Sequence, residues 1–220
     1  MTGFILFYII VSIVCYLIGS IPSAFLVLKK FHGKNIMDEG SGNVGAMNSF
    51  DVTGSKMTGF VVFAFDFLKG FIPVAVLIFV FDLYLPYIMI PAVMLVIGHN
   101  YSIFLKFKGG RGLATAAGAS MLINYSLMVI WCFLFVATFL IKRNVHWGNV
   151  IATILMPLMV YILSGFILQF TLGYIDVGSG GYYTALEEQL FVFSSSISLI
   201  ILLKHINPIV ELLKKKKENE

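Results

Sequence analysis

The chain has 220 residues, of which 59% are hydrophobic, 15% aromatic and only 12% charged. Soluble domains carry about 25% charged residues, so a water-soluble globule of this size could not hide the apolar surface, and the same greasiness excludes disorder. The net charge of +4, from 15 basic and 11 acidic residues, is informative mainly through its location.

Apolar runs long enough to matter lie at 3–28, 58–81, 84–104, 113–141, 148–172 and 188–203. A bilayer core about 30 Å thick needs roughly 20 such residues in helical form. Long continuous runs are unlike the alternating segments of a membrane β-barrel. The first run has no basic flank before it and no clean small-residue cleavage site, so it reads as a retained span and not a signal peptide. The two cysteines, Cys15 and Cys132, sit inside apolar runs and read as packing residues.

The run 113–141 is too long for one span and short for two. Basic residues arbitrate, because they accumulate in short cytoplasmic loops. Lys29, Lys30, Lys34 and Lys56 fall in 29–57; Lys106, Lys108 and Arg111 in 105–111; Lys142 and Arg143 after the ambiguous run; Lys204 and Lys214 to Lys217 in the tail. Of 15 cations, only Lys69 lies within a run. If 113–141 crosses twice, turning at Asn124-Tyr125-Ser126, every cluster shares one side. The expectation is an all-α polytopic membrane protein of seven spans, N-terminus outside and C-terminus cytoplasmic. It has one helical membrane domain over 1–205, cytoplasmic loops at 29–57 and 105–112, and a lysine-rich tail at 206–220. The stretch 113–123 is the short one: eleven residues rise only about 16 Å. Its Ala, Gly and Ser residues suit a segment buried in protein.

Chemistry is expected where the sequence stops resembling a lipid-facing helix. In Gly40-Ser41-Gly42-Asn43-Val44-Gly45-Ala46-Met47-Asn48, three glycines free the backbone to bend and to present N–H groups to an anion. Ser41, Asn43 and Asn48 add polar ligands. The literal G-x-G-x-x-G match lacks the strand–helix context that a dinucleotide site requires. A plain flexible turn is the alternative.

In Lys108-Gly109-Gly110-Arg111-Gly112-Leu113-Ala114-Thr115, two cations flank a Gly-Gly turn feeding a helix. Free N–H groups and the helix dipole favour an anion there, and the cations add contacts to phosphate. A loop that merely sets topology is the alternative. The tail holds His205 and Asn207, which read either as site or as structural residues; its lysine run is expected on solvent or anionic headgroups. Asp66 and Lys69, at i and i+3 within a span, are costly unless paired or facing a polar cavity. His99 reads either as a general base or as a helix-end hydrogen bonder.

Absences narrow the field. No His is followed five positions later by Asp, and there is no G-x-S-x-G, no H-E-x-x-H and no acidic cluster for Mg²⁺. No metal, cofactor or nucleic acid is expected.

Taken together, Gly19-Ser20-Ile21-Pro22-Ser23, the stretch Gly40 to Asn48, Phe65-Asp66-Phe67-Leu68-Lys69-Gly70, Gly98-His99-Asn100 and Phe104 to Thr115 resemble the acyl-phosphate:glycerol-3-phosphate acyltransferases. The resemblance runs in order through residue 118 and is weaker beyond. It implies a bacterial inner-membrane enzyme of phospholipid synthesis with a cytoplasmic active site. Such an enzyme moves an acyl group from acyl-phosphate to the 1-hydroxyl of glycerol 3-phosphate, forming lysophosphatidic acid and phosphate. A functional link to an enzyme that produces acyl-phosphate follows.

By motif position, Ser41, Lys108 and Arg111 are implied as catalytic. Gly42, Asn43, Gly45, Asn48, Gly109, Gly110, Gly112 and Thr115 are implied as substrate- or phosphate-binding, with His205 or Asn207 closing the site. Met37, Met47, Asp51 and Arg111 replace the Arg, Thr, Arg and Lys that the family favours. The tail departs from H-x-x-N-I-x-R, since His205 precedes Asn207 by two residues. The alternative from another class is a catalytically degenerate relative that binds or transports a phosphorylated metabolite or lipid.

Overall fold

A computed structural model describes residues 2–169 and 181–218. The far end of the 148–172 run, most of the following linker and the last two residues lie outside the described residues. The described residues contain helices and no strand, apart from one isolated bridge between Ser102 and Lys108. Five helical stretches are long and apolar enough to cross a membrane. Their outward faces are covered with large apolar side chains such as Leu6, Phe60, Phe133 and Leu199. A chain that turns several such faces outward is a multi-pass membrane protein.

The helices are α1 Thr2–Gly19, α2 Ser23–His32, α3 Ala46–Thr53, α4 Lys56–Phe79, α5 Leu85–Asn100, α6 Leu113–Met121, α7 Tyr125–Lys142, α8 Val145–Ile162, α9 Ser164–Leu168, α10 Gly181–Leu203 and α11 Ile206–Glu218. The first apolar run is interrupted at Ser20-Ile21-Pro22, because Pro22 brings no N–H and disfavours helix at the residue before it. The run 113–141 divides as its length suggested, with α6 ending at Met121 and α7 opening at Tyr125. Asn124 caps α7 by accepting from Ser126 N at 3.0 Å. At nine residues, α6 rises only about 14 Å. Residues 206–218, expected simply as a tail, form the helix α11.

The chain separates into two compact units, Met1–Leu122 and Ile123–Glu220. In the first unit, two helix crossings are set by small residues. On α1 and α5, a Cβ at Gly19 would strike the Leu95 carbonyl, and one at Gly98 would strike the backbone of Tyr16 and Gly19. On α4 and α6, Gly70 faces the Thr115 carbonyl and Gly118 faces that of Phe67. Backbone-to-backbone approach is how helices gain packing energy where lipid supplies no hydrophobic drive. It fixes both ends of the loop between α5 and α6.

In the second unit, α7 packs on α8 and α8 on α10. The Trp131, Phe135 and Phe139 rings stack along α7, and Phe135 covers Gly148. Trp131 Nε1 donates to Thr153 Oγ1 at 3.1 Å, and Asn124 Nδ2 donates to the Ile167 carbonyl at 2.9 Å.

Candidate functional site

Every residue singled out between 41 and 115 lies in the first unit. The first glycine loop is organised by Asn48, which is 2% exposed in the first turn of α3. Its Oδ1 accepts from Ser41 N at 3.0 Å. Its Nδ2 faces the carbonyls of Asn43, Glu39 and Ile36 at 3.0, 3.1 and 3.4 Å. One buried amide thus gathers the whole loop, as buried polar groups require partners. Gly42, at φ +67°, makes the left-handed turn that leaves the Ser41 side chain exposed and Asn43 half-buried. Gly45 opens α3, its carbonyl accepting from Ser49 Oγ at 2.9 Å.

The second loop closes on the end of α5. Gly110 N donates to the His99 carbonyl at 3.1 Å, and Gly109 lies against the His99 and Asn100 carbonyls. Gly112, at φ +86°, faces the Asn100 amide and leads into α6. Lys108 is exposed and Arg111 half-buried, so two cations flank the turn. The two loops meet at Gly110: a Cβ there would fall 2.6 Å from the Val44 carbonyl of the first loop and would overlap the His99 ring.

His99 is held from below. Its Nδ1 lies 3.4 Å from Asp66 Oδ1, and a carboxylate only accepts, so that nitrogen carries hydrogen. The same oxygen takes Lys69 Nζ at 2.8 Å and the Ser23 hydroxyl at 2.9 Å. Lys69 also donates to the Ile21 carbonyl at 2.9 Å. It thereby satisfies backbone at the α1–α2 break, as membrane-depth polar groups must be. Asp66 and Lys69 are the internal ion pair their spacing allowed, and His99 joins them. Asp66 and His99 both lie in stretches that carry the resemblance, Phe65 to Gly70 and Gly98 to Asn100. His99 also reads as a candidate base, whereas Asp66 signalled only that a carboxylate inside an apolar run needs a partner.

Two residues expected as ligands are buried in the protein. Asn48 is committed to its own loop's backbone. Thr115 is fully buried where α6 crosses α4, and its hydroxyl has no hydrogen-bond partner among the described residues. His205 and Asn207 belong to the second unit. There His205 is 1% exposed with Nδ1 2.9 Å from the Ile201 carbonyl at the end of α10, while Asn207 is exposed on α11. Of the positions that depart from the resemblance, Met47 and Asp51 are exposed on α3 and Met37 is half-buried. Among the described residues no group of His, Cys, Asp and Glu is arranged to hold a metal ion.

Residues 9–215 match the family described as glycerol-3-phosphate acyltransferase. The chain belongs to that family. Relatives carrying the same description include proteins of Moorella thermoacetica, 39% identical over 70% of this chain and 77% of that one, and Pelagibacter ubique, 35% identical over 72% and 81%. The relative from Staphylococcus haemolyticus is 32% identical over 94% of each chain. Among solved structures, the chain is similar to PlsY (YgiH), described as an integral membrane glycerol 3-phosphate acyltransferase, in its glycerol 3-phosphate form. The TM-score is 0.74 at 30% identity, over 94% of this chain and 92% of that one.

Proposed function

We propose that the protein transfers an acyl group from acyl-phosphate to the 1-hydroxyl of glycerol 3-phosphate. The products are lysophosphatidic acid and inorganic phosphate. The observation that carries this reading is the meeting of the two glycine loops at Gly110. It brings the loop that carries the exposed Ser41 into contact with the turn that carries Lys108 and Arg111. Membership of the family supports the acceptor, and two phosphate-bearing substrates suit a site with two such loops.

In this mechanism the hydroxyl oxygen of the acceptor attacks the acyl carbon. The ester C–O bond forms, and the bond from acyl carbon to the bridging phosphate oxygen breaks. Phosphate leaves with the electron pair, and the hydroxyl proton passes to a substrate phosphate oxygen. The acyl group arrives activated, so positioning and charge stabilisation supply the rate. Lys108 and Arg111 neutralise phosphate charge, and N–H groups at Gly109 to Gly112 and the start of α6 add donors. Ser41 and Asn43 orient the acceptor; Gly42 and Gly45 shape their loop. Asn48, Thr115, His99 and Asp66 act as positioning residues.

In the membrane, α1 with α2, and then α4, α5, α6, α7, α8 and α10, make seven passes, with α6 crossing inside protein. The N-terminus is outside. The active site faces the cytoplasm of a bacterial inner membrane, next to the source of acyl-phosphate. The distribution of basic residues supports this orientation.

The test is phosphate release by the purified protein in vesicles. Release from acyl-phosphate is expected only when glycerol 3-phosphate is present, with lysophosphatidic acid as coproduct, and is abolished by Lys108→Ala or Ser41→Ala. Thermal stabilisation by both substrates without any turnover would overturn the catalytic reading in favour of a binding protein.

A further inference from the structure

The loop between α5 and α6 carries a feature that phosphate binding does not need. Ile103, Phe104 and Phe107 are 46%, 59% and 62% exposed, whereas Leu105 between them is buried. Leu105 packs with Ala24, Val27 and Leu28 of α2 and with Val44 of the first glycine loop. The loop is rigid around that anchor. Ser102 N donates to the Lys108 carbonyl at 3.2 Å and Phe107 N to the Ser102 carbonyl at 2.8 Å. The Ser102 hydroxyl donates to the Ser20 carbonyl. Lys106 and Phe107 are both held left-handed, at φ +55° and +62°, although neither is glycine. Such a conformation is unfavourable for a residue with a side chain and persists only where surroundings enforce it. The loop thus holds three large apolar side chains outward, with the exposed Lys106 and Lys108 among them.

Alternating aromatics and lysines match one environment, the boundary between anionic headgroups and acyl chains. Aromatic side chains settle there, and cations meet the negative charge of the leaflet. The loop starts directly after the apolar helix α5, so the chain is already at that depth. The geometry points to an interfacial anchor. Ile103, Phe104 and Phe107 insert into an anionic bilayer surface and hold the Gly109–Gly112 turn at the level where a membrane-dissolved acyl-phosphate presents its phosphate. Phe107 and Gly110 are three residues apart, at most about 10 Å of chain, so the depth of one fixes the depth of the other. The second half of this inference rests on the acyl-phosphate reading above; the first half does not.

Two measurements on the full chain test it. A bimane fluorophore is placed at Phe104→Cys in a Cys132→Ala background; Cys15 is 2% exposed and shielded from the reagent. In vesicles of phosphatidylcholine and phosphatidylglycerol, lipids carrying a doxyl quencher near the headgroup should quench the probe strongly, and aqueous iodide should not. A probe at the exposed Asp51→Cys should behave oppositely. Quenching of position 104 by iodide and not by lipid would overturn the anchor.

The double variant Phe104→Ser/Phe107→Ser then tests delivery. Its KM for a long-chain acyl-phosphate in vesicles should rise about tenfold, with the KM for glycerol 3-phosphate and the rate with a water-soluble short-chain acyl-phosphate unchanged. An unaltered long-chain KM would overturn the delivery role. If the unmodified protein formed no lysophosphatidic acid at all, the acyl-transfer reading would fall while the quenching result still decided the anchor.

Discussion

Gly110→Ala is the smallest change that bears on the whole proposed site. The backbone of Gly110 is not in the left-handed region, so alanine incurs no conformational strain and the cost is steric. The new methyl would overlap His99 Nε2 and would sit 2.6 Å from the Val44 carbonyl, about 0.8 Å short of ordinary contact at 3.4 Å. Neither neighbour gives way cheaply. Val44 is anchored in the buried cluster around Leu105, and His99 is held through Asp66 to Lys69 and Ser23.

The loops must therefore separate by most of that 0.8 Å. Overpacking of this kind costs about 1–3 kcal/mol, a few degrees of melting temperature and not the fold. Catalysis should suffer more, because a misplacement near 1 Å can cost roughly a hundredfold. The expected result is a kcat/KM for acceptor-dependent phosphate release lowered about a hundredfold, with protein that still unfolds cooperatively. Gly165→Ala, whose Cβ would meet nothing within 4 Å, is the matched control and should leave activity alone. Wild-type kcat/KM in Gly110→Ala would refute the claim that contact between the loops sets the site.

Three further outcomes are expected. Asp66→Asn leaves Lys69 buried without its counter-charge and should lower stability by about 3–5 kcal/mol; adding Lys69→Met should restore part of the loss in thermal unfolding in detergent. Asn48→Ala removes the hub of the first loop and, at about 1 kcal/mol per lost hydrogen bond, should depress the melting temperature and raise the KM for glycerol 3-phosphate roughly tenfold. Arg111→Lys keeps the charge and should hold kcat within about fivefold, whereas Arg111→Ala should lower it about a hundredfold or more; equal losses in both would argue for a steric role.

The membrane class and the division of the 113–141 run were legible without coordinates, because both follow from one-dimensional quantities: the length of apolar runs and the cost of moving a cation across a bilayer. The glycine loops could also be read, since positive φ and close backbone approach select glycine locally. The roles of particular polar residues could not. Asn48 looks like a ligand in sequence, and the structure gives it four backbone contacts around its own loop. Thr115 follows the Gly-Gly turn yet is fully buried, with its carbonyl at the α4 crossing.

Asp66 and Lys69 declared only that each needed a partner, and His99 could be read as a base or as a helix-end hydrogen bonder. That one carboxylate oxygen serves Ser23, Lys69 and His99 together depends on three helices meeting, which no local pattern encodes. Sequence by itself determined where the chain leaves lipid and which segments can bend sharply. Tertiary structure alone decided which of those segments touch, because glycine-mediated crossings at Gly19, Gly70, Gly98 and Gly118 set the helix positions to a fraction of an ångström. Contacts at Gly110 exist only at that precision.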